Sequence, residues 1–231
     1  MNYFAHARRF LDDSYFVAGT AVPDWLGVVD RKVRARSQGA RTLLDDADPR
    51  VVSLARGIIQ HHFDDGWFHQ SAAFQQLSAK FAISLREVLG GDRSLRPGFL
   101  GHIAVELLLD DCLVKDDPER LERYYAALDS IDPVLVEQTV NRISRFATDR
   151  LSLLVPRFSV ERFLYDYASD EKLLRRLNQV LGRVGLELLP DSMVAWLAQA
   201  RQEVKSLRME LLCGESQQIA WQVIGRSAES F

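Results

Sequence analysis

The chain has 231 residues, of which 47% are hydrophobic and 26% charged, and a net charge of −3. That length suffices for one sizeable core or two small domains, and the slight acidity argues against a general nucleic-acid binder. No run approaches the roughly 20 apolar residues needed to span a bilayer, and the opening residues lack the basic lead and apolar stretch of a signal peptide. Cys112 and Cys213 stand far apart in no metal or redox motif and read as reduced core residues of a cytoplasmic protein.

Taken in chain order, His6 falls in a first short helical segment. Asp24 follows in Gly19-Thr-Ala-Val-Pro-Asp24. Gly19 permits tight backbone geometry and Pro23 pushes Val22 toward extended conformations, so Asp24 is expected in a Gly/Pro loop, as a metal ligand or as the N-cap of a new helix. The basic residues Arg31, Lys32, Arg34, Arg36 and Arg41 come next. They form either a receptor for a phosphate or an acidic partner, or a solvated helix face.

Asp48–Pro49 marks a helix start, with the acid as N-cap and proline at the first helical position. Val51, Val52, Ala55, Ile58 and Ile59 then give helical periodicity that runs into His61, Asp65 and His69, spaced four and four. His62 points about 100° away from His61 and is not expected to be a ligand. A second stretch, Phe99 to Asp110, is apolar except at His102, Glu106 and Asp110, again four apart. Such spacing sets three side chains in one stripe of a helix. An unpaired carboxylate in so apolar a helix costs several kcal/mol or loses its charge, and a divalent cation held by imidazole and carboxylate removes that cost. All five histidines lie before residue 103, which points to one metal site built from several segments.

Further helix starts are expected at Asp117–Pro118, Asp132–Pro133 and Ser169, and at Asp191, where a long helix runs to about Leu212. No alternating run supports a sheet. The expected fold is a single all-α domain over residues 1–231, with a metal-site half (1–115) and a helical scaffold or partner-binding half (116–231).

The elements Met1-Asn-Tyr-Phe-Ala-His6, Gly19-Thr-Ala-Val-Pro-Asp24 and Gly57-Ile-Ile-Gln-His61 with Asp65 resemble the N-terminal half of the acyl carrier protein phosphodiesterase family. The order Asp24, His61-xxx-Asp65-xxx-His69, His102-xxx-Glu106 is also similar to the zinc-dependent phospholipase C family and its nuclease relatives. The resemblance covers about residues 1–115 and implies an all-helical, HD-type, metal-dependent phosphodiesterase with His6, Asp24, His61, Asp65, His69, His102 and Glu106 as ligands. No histidine lies between Asp24 and His61 and no N-terminal tryptophan is present, which points to one or two ions of Zn, Mn or Fe and not three. Here His precedes the acid by four, unlike the Glu-x-x-His of ferritin-like di-iron sites.

The expected function is hydrolysis of a phosphodiester by metal-activated water, on a phosphopantetheinyl carrier protein or a phospholipid-like substrate. Asp64, Asp110 and Asp111 are the candidates to orient the water or protonate the leaving group, or else to support the ligand histidines. The competing reading is a non-catalytic helical interaction module, held by a structural metal or a buried salt-bridge network.

Overall fold

The computed structural model describes residues 1–90 and 96–214. Among these residues the chain forms only helices: α1 (Tyr3–Ala7), α2 (Ser14–Val29), α3 (Ser37–Arg41), α4 (Pro49–Phe68), α5 (Ala72–Val88), α6 (Pro97–Asp116), α7 (Pro118–Asp129), α8 (Pro133–Ile143), α9 (Leu151–Glu161), a 3-10 segment (Phe163–Ala168), α10 (Asp170–Arg183), α11 (Met193–Ser206) and α12 (Arg208–Leu211). The all-α single domain expected from periodicity is what forms. No described helix is long and apolar enough to cross a membrane.

The helix starts follow from cap chemistry. Asp48 and Asp132 each accept the backbone N–H two residues on, and each precedes a proline at the first helical position. Ser169 Oγ accepts the Lys172 N–H at the start of α10. Asp117 precedes Pro118 at the start of α7 without a side-chain cap bond.

Helix α6 is the axis of the fold. It packs against α1, α5, α7, α11 and the 3-10 segment. Leu100, Ala104, Val105, Leu107, Leu108 and Leu109 are all buried along it, because its apolar residues cover most of its circumference. Burying each such leucine contributes roughly 1.5–3 kcal/mol.

The most extensive helix–helix contact is between α2 and α4, and it rests on two glycines facing each other. A Cβ on Gly19 would stand 2.2 Å from the Leu54 carbonyl oxygen and 2.9 Å from the Gly57 Cα. One on Gly57 would stand 2.2 Å from the Phe16 carbonyl oxygen and 2.8 Å from the Gly19 Cα. Backbone touches backbone at this crossing, and His61 lies one turn further along α4.

Four expectations are corrected. Asp24 is not in a loop: α2 continues through Pro23 and carries Asp24 in its last turns. Proline there removes only the N–H that would bond the Gly19 carbonyl, and packing against α4 outweighs that loss. The basic run from Arg31 to Arg36 is neither helix nor helix face, but the connection between α2 and α3. The last long helix starts at Met193 and breaks at Leu207, so it forms two pieces. Cys112 is buried as expected, but Cys213 is exposed.

Gly57→Ala is expected to lower stability by about 3 kcal/mol or more, because backbone atoms must separate to admit the methyl group. Thermal denaturation measures this, and a melting temperature unchanged from the parent would contradict the glycine-paired crossing.

Candidate metal centre

The site begins with the anchoring of α1. The Asp110 carboxylate, fully buried on α6, accepts the backbone N–H of Ala5 at 2.7 Å on Oδ1. Its Oδ2 accepts the Phe4 N–H at 3.1 Å and the Asn2 Nδ2 at 2.9 Å. A short helix cannot hold its shape alone, so this acid from a distant part of the chain does the work of an N-cap. Burial pushes the Asp110 carboxyl up to about 7, against the pull of the two backbone donors. Anchored in this way, α1 presents His6 and the α-amino group of Met1 to α4 and α6.

Six of the expected ligands come together in two adjoining groups. The first is His6, His61 and Asp65; the second is His69, His102 and Glu106. Within each group one donor atom per residue lies within 4.8 Å of the others. The grouping differs from the stripes read in the sequence. His69, the residue that ends α4, leaves its own helix partners and lies 2.8 Å from Glu106 Oε1 through Nε2, while His6 takes its place beside Asp65. Asp110 leaves the second stripe to hold α1.

The histidine rings are held from behind. His61 Nδ1 lies 2.8 Å from the Thr20 carbonyl oxygen. A carbonyl only accepts, so Nδ1 carries a proton that it donates, and Nε2 points at Asp65 Oδ2, 3.3 Å away. His6 Nδ1 lies 3.3 Å from Asp64 Oδ2, and its Nε2 lies 3.2 Å from the Met1 carbonyl oxygen and 3.4 Å from Asp65 Oδ1, so both ring nitrogens face acceptors. His102 Nε2 stands 3.3 Å from Glu106 Oε1. Ring nitrogens fixed through their far N–H by a carbonyl or carboxylate are the usual support of metal-bound imidazole. Tetrahedral ligands bonded at roughly 2.0–2.1 Å lie about 3.3 Å from one another, and the donor atoms of each group, within 4.8 Å of one another, are near enough to close on a common cation. The rings also pair within each group: His6 stacks on His61 at 4.3 Å, and His69 and His102 centroids are 4.7 Å apart.

A positive charge already stands between the two carboxylates. The Met1 ammonium donates to Asp65 Oδ1 at 2.7 Å and to Glu106 Oε1 at 3.1 Å, with His69 Nε2 at 3.5 Å. Burial works against this charge, yet Glu106 and Asp65 raise the amine from 8.0 to about 10. Burial likewise works against a charged His6, but the hydrogen bonds to Asp64 and Asp65 raise it to about 9. Against burial, the hydrogen bonds from His6 and His61 and the charge of the amine hold Asp65 well below the ordinary carboxylate range. The amine and the two facing imidazoles do the same for Glu106.

Asp24 joins neither group. It lies on α2, half-buried in the wall of a cavity of about 810 Å³ that also reaches Met1 and Glu106. Burial raises its pKa, and the charges of His61 and His6 act on it in the opposite direction. The other expected acids hold protein partners. Asp64 is buried and orients His6, while its Oδ1 accepts Gln60 Nε2 at 2.8 Å and Trp67 Nε1 at 3.3 Å. Asp111 is bound by Arg201 Nη1 and by Lys115 at 2.7 Å. Arg201 also reaches Asp170 and the Tyr167 carbonyl, so this acid ties α6 to α11 and the start of α10. These contacts give Asp64, Asp110 and Asp111 supporting positions. His62 bonds the Ala35 carbonyl at 2.7 Å and, as expected, stands outside both groups.

The sequence reading missed the Met1 amine, the Thr20 carbonyl and the wall that the second half lends to the cavity. None carries a motif. The spacing of Thr20 from Gly19, together with the Gly19–Gly57 pair, was the available hint that α2 presses its backbone against α4 close to His61.

No model of a known protein family matches the chain, and no curated protein or solved structure matches it.

Two outcomes are expected. Asp110→Ala leaves three buried donors without their acceptor and costs about 3 kcal/mol, read as a lower melting temperature together with weaker zinc binding in a titration. Zinc affinity rises between pH 6 and pH 8 by about tenfold per unit for each proton displaced, since His6 keeps its proton up to about 9 in the metal-free chain. Calorimetry in buffers of different ionisation enthalpy counts those protons, and a pH-independent affinity would remove His6 from the ligand set.

Proposed function

We propose that the chain is a divalent-metal-dependent hydrolase of phosphodiesters. One observation carries the reading: two His-His-carboxylate groups from α1, α4 and α6 adjoin each other beside an 810 Å³ cavity into which Glu106 and Asp24 face. Small-molecule sites have volumes of roughly 300–1,000 Å³. The resemblance of residues 1–115 to the acyl carrier protein phosphodiesterase and zinc-dependent phospholipase C families supports the same reaction class.

His6, His61 and Asp65 would hold one cation and His69, His102 and Glu106 a second. Bound divalent cations supply Lewis acidity, lowering the pKa of water and offsetting charge on phosphoryl oxygens. Zn, Mn and Fe all suit mixed imidazole and carboxylate donors. The chain's own part is positional. Thr20 and Asp64 fix the His61 and His6 rings, and Asp24 adds a third carboxylate at the cavity wall next to the first group. A phosphopantetheinyl carrier protein and a phospholipid-like ester are the substrates that the two resemblances suggest.

One observation favours a second reading. The Met1 ammonium satisfies Asp65 and Glu106 together, as a buried ion-pair network that only holds α1, α4 and α6 would require. The two readings differ in what the purified protein contains. The hydrolase reading expects stoichiometric metal by elemental analysis and turnover of bis(para-nitrophenyl) phosphate that a chelator abolishes. It also expects Asp65→Ala to cut that turnover by more than about 100-fold while helical circular dichroism is kept, with Asp65→Asn as the milder variant. Metal-free protein with no turnover, in which Asp65→Ala merely lowers the melting temperature, would leave the ion-pair network standing.

A further inference from the structure

The cavity beside the ligand groups carries a second charged feature. Its far wall comes from the half of the chain that holds no histidine, through α9 and α10, and four arginines line it: Arg31, Arg157, Arg176 and Arg183. Arg176 is committed to the protein. It bonds Asp166 through Nε at 2.9 Å and Nη2 at 2.6 Å, lies 3.7 Å from Glu161, and covers the Phe163 ring. The other three are not neutralised. Arg31 donates only to the carbonyls of Gly27 at 3.4 Å and Arg183 at 3.1 Å, which sets it alongside Arg183. Among the described residues, the side chains of Arg157 and Arg183 have neither a hydrogen bond nor an ion pair. Glu161 is the cavity's one carboxylate outside the ligand end, and Arg176 stands beside it.

Arg31, Arg157 and Arg183 are exposed, so water screens their mutual repulsion, while an anion received among them gains charge-assisted hydrogen bonds. Guanidinium groups meet phosphate through paired, parallel N–H donors. Between this wall and the ligand groups lie apolar and aromatic side chains, among them Leu107, Leu154, Phe158 and Phe163.

We propose that Arg31, Arg157 and Arg183 form a subsite for a second phosphate, carried on the same small molecule as the ester that faces the ligand groups. The inference rests on the hydrolase reading for the role of the first phosphate, but not for the existence of the subsite. The substrate class is a small organic diester with a further phosphate at its other end and an apolar or ring-bearing middle. The cavity's volume of about 810 Å³ and its aromatic lining favour such a molecule over the carboxylates of an acidic protein surface. A wall drawn from α9, α10 and the connection after α2 thereby selects the substrate on which the ligand groups act.

Two measurements separate the subsite from the hydrolysis. The first is calorimetric binding of inorganic pyrophosphate to metal-stripped protein, compared with the Arg157→Ala/Arg183→Ala double variant and its Lys/Lys counterpart. Loss of charge-assisted bonds is expected to weaken binding about tenfold or more in the Ala variant and less in the Lys variant. The second is turnover by the metal-loaded protein of the para-nitrophenyl ester of thymidine monophosphate and of the same ester bearing a second phosphate on the sugar. The second phosphate is expected to lower KM, and the ratio of kcat/KM between the two esters to collapse toward one in the Ala variant.

If pyrophosphate binds in an arginine-dependent way and neither ester turns over, the subsite stands and the hydrolase reading fails. If pyrophosphate binding is the same in parent and variant, or if the second phosphate gives no advantage to an active enzyme, the subsite falls. Arginine-dependent capture of an acidic carrier protein without pyrophosphate binding would also overturn it.

Discussion

Two carboxylates removed from bulk water set the terms for the rest of this molecule. Asp65 and Glu106 sit on separate helices, yet each needs compensating positive charge, since an isolated buried carboxylate takes up a proton sooner than stay ionised. The chain meets that need from four directions: the Met1 ammonium, the His6 ring on α1, the rings of α4 and the ring of His102 on α6. Everything that brings those groups inward, from the Asp110 anchor of α1 to the glycine-paired crossing of α2 and α4, makes the charge tolerable. The site's own protons and ammonium already occupy the places of positive charge, so any further cation would have to displace them.

The supports are unequal in kind. Asp110 acts over a long sequence separation with a geometry that only its two oxygens and three donors define. The α2–α4 crossing acts through the absence of side chains, so its contribution is a distance and not a bond. That distance places the Thr20 carbonyl against His61 Nδ1, which fixes the tautomer and leaves Nε2 available. Asp64 and the Met1 carbonyl hold the His6 ring from its two nitrogens. Asp111 belongs to a different structure altogether, the arginine-centred tie that fastens the last helices to α6.

Local signals in the sequence were read well where they acted locally. The Asp-Pro starts of α4, α7 and α8 and the Ser169 start of α10 depend only on neighbouring residues, and the apolar circumference of α6 needs only its own period. The residues that gather at the candidate site were legible too, because two triplets of imidazole and acid at helical spacing in apolar stretches point to a shared buried site. Their grouping was not. Spacing within a helix cannot reveal that His69, at the end of α4, turns to Glu106, or that Asp110 faces α1. Asp24 was misplaced because a proline inside a helix is disfavoured locally, whereas the packing of α2 on α4 that overrides it involves residues over thirty positions away. Leu207 breaks the last long helix for a reason that periodicity does not carry.

The ligand groups draw on α1, α4 and α6, whereas the facing wall of the cavity draws on α9, α10 and the connection after α2. These are separate stretches of chain, joined where Tyr3 packs on Phe158 and Phe163 and Asn2 donates to the Tyr167 hydroxyl. Changes in the arginines of the wall therefore leave the two His-His-carboxylate groups as they are, and a lineage descended from such a scaffold is free to reshape one end of the cavity without rebuilding the other.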